Sequence, residues 1–457
     1  MVPQYVIQDP TTSYAIELMR RIRTEVGWKA VCFYTTAEAV PNDREKWAEL
    51  FSADFVAAEY RVQSDGLAAF IEHLKLQHDV QAVVPHNELC LSHANTIATA
   101  LRLSWSQPKV LTRFRDKHAL KSHLAAIDPS LRLNFTTLVD DPRDVLSAVV
   151  EHGLKRFVLK PNDGYANVNI GIFDAGVSAE IIQAHCQQAP KTRWLLEEYV
   201  EGAEFHCDGQ VDAEGNITIV DVGRGHIIET AQRAVVRTRT DQVARGAPEF
   251  DVLADYTHRV IKASGLRRSP FHAEMRIDDR GPCLIECGAR LIGGEYAALC
   301  NEMHGPPFDV FALAAHYYVT DAPFGEIALN WARYDSRLFS RVRGVSTDAE
   351  RLHSLEGVTE VESLPQFFKW IEKPFVGQSL AATNSLISSA YALLIIASSP
   401  EEIEQVVTKI RGLVRWNRHP MTPVSRCEFA LGVLRRGIKR RLRRHFRSSK
   451  RQLVSFE

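Results

Sequence analysis

The chain has 457 residues, 45% of them hydrophobic and 24% charged, with 25 Gly, 20 Pro and a formal net charge of −1. These proportions exclude a disordered, collagen-like or fibrous protein, and the length allows two to four domains of about 100–200 residues each. Met1–Pro10 lacks a basic start with a long apolar core, and no apolar run reaches roughly 18 residues, so neither a leader nor a membrane span is expected and the cytoplasm is the expected location.

Tyr5–Ile7 reads as a strand, Asp9–Ser13 as a turn with capping residues and Tyr14–Val26 as a helix. Lys29–Tyr34, Phe55–Tyr60 and Val80–Pro85 are β-rich, whereas Leu67–Leu76 and Leu89–Leu103 have helical spacing. Strands alternating with helices predict a parallel sheet covered on both faces over residues 1–107. Loops at the carboxyl edge of such a sheet carry ligands. Glu88, in His86-Asn87-Glu88, follows one of its strands.

Residues 108–318 mix strands with polar loops and hold every chemical motif. Beyond them, Asn330–Val342 reads as a β-like run, Gly357-Val358-Thr359 as a turn before another strand, and Pro400–Val414 as an amphipathic helix following the apolar Ala392–Ala397. This predicts a small α+β domain over 319–418, and an α/β plus α+β fold class for the whole. The eight cysteines form no CxxC pair, and Cys283 and Cys287 lack the partners a zinc site needs, so buried free thiols are expected.

Residues 419–457 form a basic tail. Ten Lys or Arg and no acid lie between Arg435 and Arg451, which leaves about −11 on the rest. Leu431, Leu434, Ile438, Leu442 and Phe446 recur at helical spacing among the arginines. Such a helix suits an anionic membrane surface, so 431–451 is a candidate for peripheral membrane contact, with a packed or solvated terminal helix as the alternative. Nucleic acid ranks below both, and a homodimer is compatible with the sequence.

Phe271–Ile277 alternates, Asp278-Asp279-Arg280-Gly281 is turn-rich, and Leu284–Cys287 is a second short strand, which together read as a β-hairpin. A pivot at residue 280 opposes Glu274 to Glu286, whose Cβ atoms would then lie about 4.5–5.5 Å apart on one face. Two bare carboxylates so placed repel each other unless a cation lies between them, and magnesium takes such oxygens together with phosphates. Two solvated surface acids in another register are the alternative.

Three further segments add cations and acids in a definite order. Arg115-Asp116-Lys117-His118 opens a helix, Lys160-Pro161 ends a strand before Asn162-Asp163-Gly164, and the strand–turn–strand Leu195–Gly209 carries Glu197, Glu198, Glu201 and Glu204. In this order and spacing, Pro108–Tyr317 resembles the ATP-grasp superfamily, and Gly288-Ala289-Arg290-Leu291-Ile292-Gly293-Gly294 resembles its L-amino acid ligase and natural-product branch.

The resemblance implies a three-part architecture, with a small nucleotide-clamping lobe at about 130–205 and a metal-binding core at about 206–318. It implies that Lys117 and Lys160 hold ATP phosphates, that Glu197 and Val200 meet the adenine and Glu204 the ribose, and that Glu274 and Glu286 hold Mg2+ (or Mn2+). Lys160 and Arg290 would be catalytic, with Glu88, Arg290 and Gly293 near the substrate. The implied reaction is ADP-forming: a carboxylate becomes an acyl phosphate and is coupled to an amine, such as an amino acid. The loop Asp163–Asn169 is poorer in Gly and Ser than the family's, and Gly288 replaces its usual Asn. His206, His226, His272, Arg237 and Arg239 lie near the motifs, and the Gly223–Thr240 loop is an expected source of specificity. A biotin-dependent-carboxylase-like or purine-pathway-like enzyme is a rival reading, and a nucleotide-binding regulatory protein is another.

Overall fold

The computed structural model describes residues 2–35, 48–103, 108–164, 168–190, 192–229, 235–293, 295–322, 324–346, 350–380, 383, 389–420 and 454–456. The chain forms two compact units, one of residues 1–225, 242–335 and 454–457 and the other of residues 226–241 and 336–453.

The first unit opens with the expected parallel sheet, in the order Val454–Phe456, Val56–Val62, Lys29–Tyr34, Gln4–Gln8, Val80–Val84. Successive strands step outward from Gln4–Gln8 until Val80–Val84 returns to its other side. Reversal of strand order opens a crevice at the carboxyl edge, where doubly wound sheets bind ligands. Glu88 stands there, in a 3₁₀ turn (Glu88–Cys90) whose N-cap Asn87 accepts from the Cys90 N–H at 3.1 Å. The crevice is pinned at its base, since the His86 ring meets the Gln8 carbonyl at 2.7 Å and the Tyr318 hydroxyl donates to the Pro85 carbonyl at 3.3 Å.

Two antiparallel sheets follow in the same unit. One runs Thr136–Val139, Trp194–Glu198, Arg156–Pro161, Gly171–Asp174; in the other, Gly281–Gly288, Ser269–Asp278, Ala203–Val211 and Ile217–Glu229 are neighbours in that order. The turn between Trp194–Glu198 and Ala203–Val211 depends on Gly202, at φ +95°, where a Cβ would lie 1.9 Å from the Ile277 carbonyl oxygen. A side chain there would meet both a left-handed backbone and a hard clash. Gly202→Ala is therefore expected to cost roughly 2–3 kcal/mol or more, seen as a lower midpoint in a thermal scan.

In the second unit, Val235–Gln242, Leu338–Gly344, Tyr391–Ala397 and Phe367–Glu372 pair antiparallel, and helix Pro400–Leu413 covers one face. Two elements expected beyond residue 318 differ. Asn330–Val342 is a helix, Trp331–Ser336, followed by strand Leu338–Gly344, because Asn330 caps the first turn by accepting from the Arg333 N–H at 2.9 Å. Gly357, at φ +82°, starts the helix Val358–Glu362 before the next strand. Most of the expected Gly223–Thr240 loop is also strand, through Glu229 and again from Val235.

The basic helix expected at Leu431–Phe446 lies outside the described residues. Among those described, no helix is long and apolar enough to cross a membrane. The described cysteines, Cys32, Cys90, Cys186, Cys207, Cys283, Cys287 and Cys300, are buried thiols.

Candidate active site

The Ser269–Asp278 and Gly281–Gly288 strands pair with Glu274 opposite Glu286. The tight turn is Asp279-Arg280, with Asp278 opposite Gly281, so the tip is centred half a residue earlier than a pivot at 280. A register irregularity between Glu274 and Met275 takes up the difference. A β-bulge of this kind re-aims side chains, and here it puts the two carboxylates in register.

Cations converge on this pair. Asp116 caps helix Lys117–Ile127 by accepting from the Ala119 N–H at 2.8 Å, which fixes Lys117 as its first residue. The Lys117 ammonium donates to the Gly164 carbonyl at 2.7 Å and lies 3.4 Å from Glu286 Oε1. It thus ties the loop after Lys160-Pro161 to the acidic hairpin. In that loop Asn169 adopts φ +58°, the left-handed geometry that a Gly would otherwise supply, while Tyr165–Asn167 lie outside the described residues.

Lys160, at the end of Arg156–Pro161, is 3% exposed and pairs with Glu197 Oε2 at 2.6 Å. Burial alone would lower its pKa, yet Glu197, Glu286 and Glu274 together raise it. Glu197 is 2% exposed and receives a second lysine, Lys121, at 2.5 Å on Oε1. Burial pushes the Glu197 carboxyl up, but the two ammonium groups outweigh it and hold it down at about 2. Lys121 also donates to Asn134 Oδ1 at 2.7 Å. Each Glu197 oxygen is therefore already engaged, and any contact with an adenine is shared with this triad. Lys121 was not among the expected site residues. Its signal was the i, i+4 spacing from Lys117, which puts both ammonium groups on one helix face.

Along the hinge, Arg276 donates to the Val200 carbonyl at 2.8 Å, stacks on the Tyr199 ring at 4.8 Å and lies 3.7 Å from Glu204 Oε2. Arg156 approaches the same ring at 4.2 Å. The Tyr199 ring thus meets two guanidinium groups, which anchors the segment between Glu197 and Glu204.

Beneath Glu274 lies a buried chain of acids and imidazoles. His272 Nε2 is 3.3 Å from Glu274 Oε1 and its Nδ1 is 3.0 Å from Asp208 Oδ1. Asp208 Oδ2 approaches His206 Nε2 at 3.5 Å, which meets Asp221 Oδ2 at 3.2 Å, and the Tyr334 hydroxyl donates to Asp221 Oδ1 at 2.7 Å. Burial opposes a charge on His272, but Asp208 and Glu274 outweigh it and raise the imidazole pKa to about 9. Its stabilising contribution is thus complete below the ordinary value near 6.5 and is lost as pH rises through about 9. The metal-free protein is expected to lose thermal stability over that window, and His272→Gln to flatten the loss in scans at stepped pH.

Glu88 and Arg290, far apart in sequence, meet at 2.8 Å through Arg290 Nη2 and Glu88 Oε1. Burial would lower the Arg290 pKa, but Glu88, Tyr14, Glu286 and Glu274 keep it raised. Gly288 makes room for this pair: a Cβ there would stand 2.9 Å from Glu88 Oε1. Gly293 is an exposed turn residue with open space around its Cβ position. Arg239, one of the arginines near the motifs, pairs with Glu404 and with Asp241 at 2.9 Å. His226 meets the same Asp241 at 2.6 Å.

Residues 155–298 match the ATP-grasp domain family. Dapdiamide A synthase from Enterobacter agglomerans is 23% identical over 267 residues, 56% of this chain, and the match spans 62% of that relative's length. The L-amino acid ligase from Bacillus licheniformis superposes with a TM-score of 0.69 at 16% identity, covering 92% of this chain and 99% of that one. N5-carboxyaminoimidazole synthetase from Staphylococcus aureus, solved with ADP, gives 0.62 at 11% identity over 89% and 96% of the two chains. The domain match, the shared fold and the order of lysines and glutamates agree: residues 155–298 are similar to ATP-grasp domains, and the described fold is similar to that of the L-amino acid ligase.

Proposed function

We propose that the chain is an ADP-forming carbon–nitrogen ligase that converts a carboxylate to an acyl phosphate with ATP and couples it to an amine, with amino acids as the substrate class. The observation that carries this reading is the opposed pair Glu274–Glu286 with Lys117 3.4 Å from Glu286 and Lys160 within electrostatic reach of both acids. Together these groups form a cationic cradle over an all-oxygen donor pair. Hard oxygen donors without thiolate or imidazole fit magnesium rather than zinc. Bound magnesium would neutralise charge on the transferring phosphate, and Glu274 and Glu286 are the residues that would hold it.

The protein's own part is positioning and electrostatics. Lys117 and Lys160 would hold phosphate oxygens, with Lys160 kept charged and aimed by Glu197. Glu204 would accept from the ribose hydroxyls and Val200 would line the adenine. A substrate carboxylate oxygen attacks the γ-phosphorus and the bond to ADP breaks. The amine nitrogen then attacks the acyl carbon, phosphate leaves, and the amine proton passes to solvent or a nearby base. Arg290, half-buried and charged, would receive the carboxylate or the acyl phosphate on its planar fork, with Glu88 orienting it.

The amino-acid assignment is supported by the names of the two relatives, a Dapdiamide A synthase and an L-amino acid ligase. Purified chain incubated with ATP, magnesium and pools of amino acids should release ADP and phosphate and yield a dipeptide-like product by mass spectrometry. Release of AMP would sink the acyl phosphate, and turnover dependent on bicarbonate would favour a carboxylase-like reaction.

A further inference from the structure

The parallel sheet of the first unit ends on a strand from the far end of the sequence. Val454–Phe456 pairs parallel with Val56–Val62, placing Val454 opposite Tyr60 and Phe456 opposite Val62, and the Gln63 N–H donates to the Phe456 carbonyl at 2.9 Å. The Phe456 ring lies 5.7 Å from Tyr60, 5.5 Å from Phe70 and 5.2 Å from His73, and packs on the sheet's apolar core. Val454 is 56% exposed, so the aromatic ring is the segment's anchor.

Parallel edge strands expose unpaired backbone groups unless something covers them. Here the cover is three residues long, with one aromatic anchor and a few backbone bonds. Set against the entropy of ordering the segment and closing the chain behind it, this is the balance of a contact that opens and closes. The preceding strand, Arg415–Pro420, pairs with Glu350–Glu356 in the second unit, and the sequence between Pro420 and Val454 contains the ten Lys and Arg of Arg435–Arg451.

We propose that Val454–Phe456 is a reversible latch, docked by β-addition on the Val56–Val62 edge with Phe456 in the cradle of Tyr60, Phe70 and His73. Its release uncovers that edge. The occupant is the chain's own segment. The inference is independent of the ligase reading, since none of its residues belongs to the nucleotide or substrate groups.

Hydrogen exchange resolves the matter on three proteins: the full chain, Phe456→Ala, and the chain ended after Arg451. Amides of residues 56–63 should exchange roughly tenfold faster in the second and third. Adding the peptide Gln-Leu-Val-Ser-Phe-Glu to the shortened chain should restore protection, and the same peptide with Ala for Phe should not. The restoration also shows that the shortened chain is folded. Equal exchange in all three proteins would overturn the latch. Protection in the full chain that rises with protein concentration would overturn the assignment to its own segment and give the edge to a second copy.

Discussion

Glu286→Gln should lower kcat/KM by about three orders of magnitude, because a divalent ion's contribution to phosphoryl transfer is worth several kcal/mol and each 1.36 kcal/mol is about tenfold. The substitution is nearly isosteric and leaves the strand pairing with Glu274 intact. It removes one of two anionic oxygen donors and the partner that Lys117 meets at 3.4 Å. Manganese titration of the ADP complex should weaken in parallel, which separates loss of the ion from loss of fold. Glu274→Gln should do the same and additionally strip His272 of one partner at 3.3 Å. If the two carboxylates grip one ion, the double variant should be scarcely worse than either single one, since groups that act as a unit are not additive. Retention of more than about a tenth of the activity by Glu286→Gln would remove the metal assignment.

Why that pair was legible in the sequence, while other parts of the site were not, follows from the physics of each. Side chains on a strand alternate with period two, so a turn cluster at Asp278–Gly281 brought residues 274 and 286 to within one position of opposition. The bulge that makes the opposition true was not legible, because no residue type marks it. Parallel-sheet character was readable from strands alternating with helices, and with it the place of Glu88 at a strand's carboxyl end. Its meeting with Arg290 at 2.8 Å was not, since nothing local couples positions 202 residues apart. Lys121 read as an ordinary helix lysine because burial of a charge is decided by its partners, here Glu197 and Asn134, which come from other elements. Trp331–Ser336 was lost within an apparent β run because six residues give a helical period too little room. Val454–Phe456 pairs on an edge whose nearest residues lie some four hundred positions earlier, and three residues carry no period at all.

Lys121→Met should destabilise the first unit by about 3–5 kcal/mol, the usual cost of breaking a buried ion pair by removing one partner. Lys121, Glu197 and Lys160 are 2%, 2% and 3% exposed, so water cannot take over the lost interaction. Without Lys121 the Glu197 carboxylate keeps Lys160 alone, and Asn134 loses the donor at 2.7 Å. The native triad also sets a pH signature. The carboxyl is held at about 2 against an ordinary value of 4.5, so its stabilisation is fully present above that ordinary value and is lost as pH falls through about 2. In Lys121→Met the folded-state pKa should rise toward the ordinary value, and the acid-induced loss should shrink accordingly. Thermal scans between pH 2.5 and 7 should therefore show the gap between wild type and variant narrowing as the pH falls. Activity discriminates a further point. If Glu197 serves chiefly to aim Lys160, Glu197→Gln should raise the KM for ATP and lower kcat together, because the displaced ammonium fails in both the bound and the transition state. A rise in KM alone would instead mean that its business is with the adenine, as the family resemblance implies.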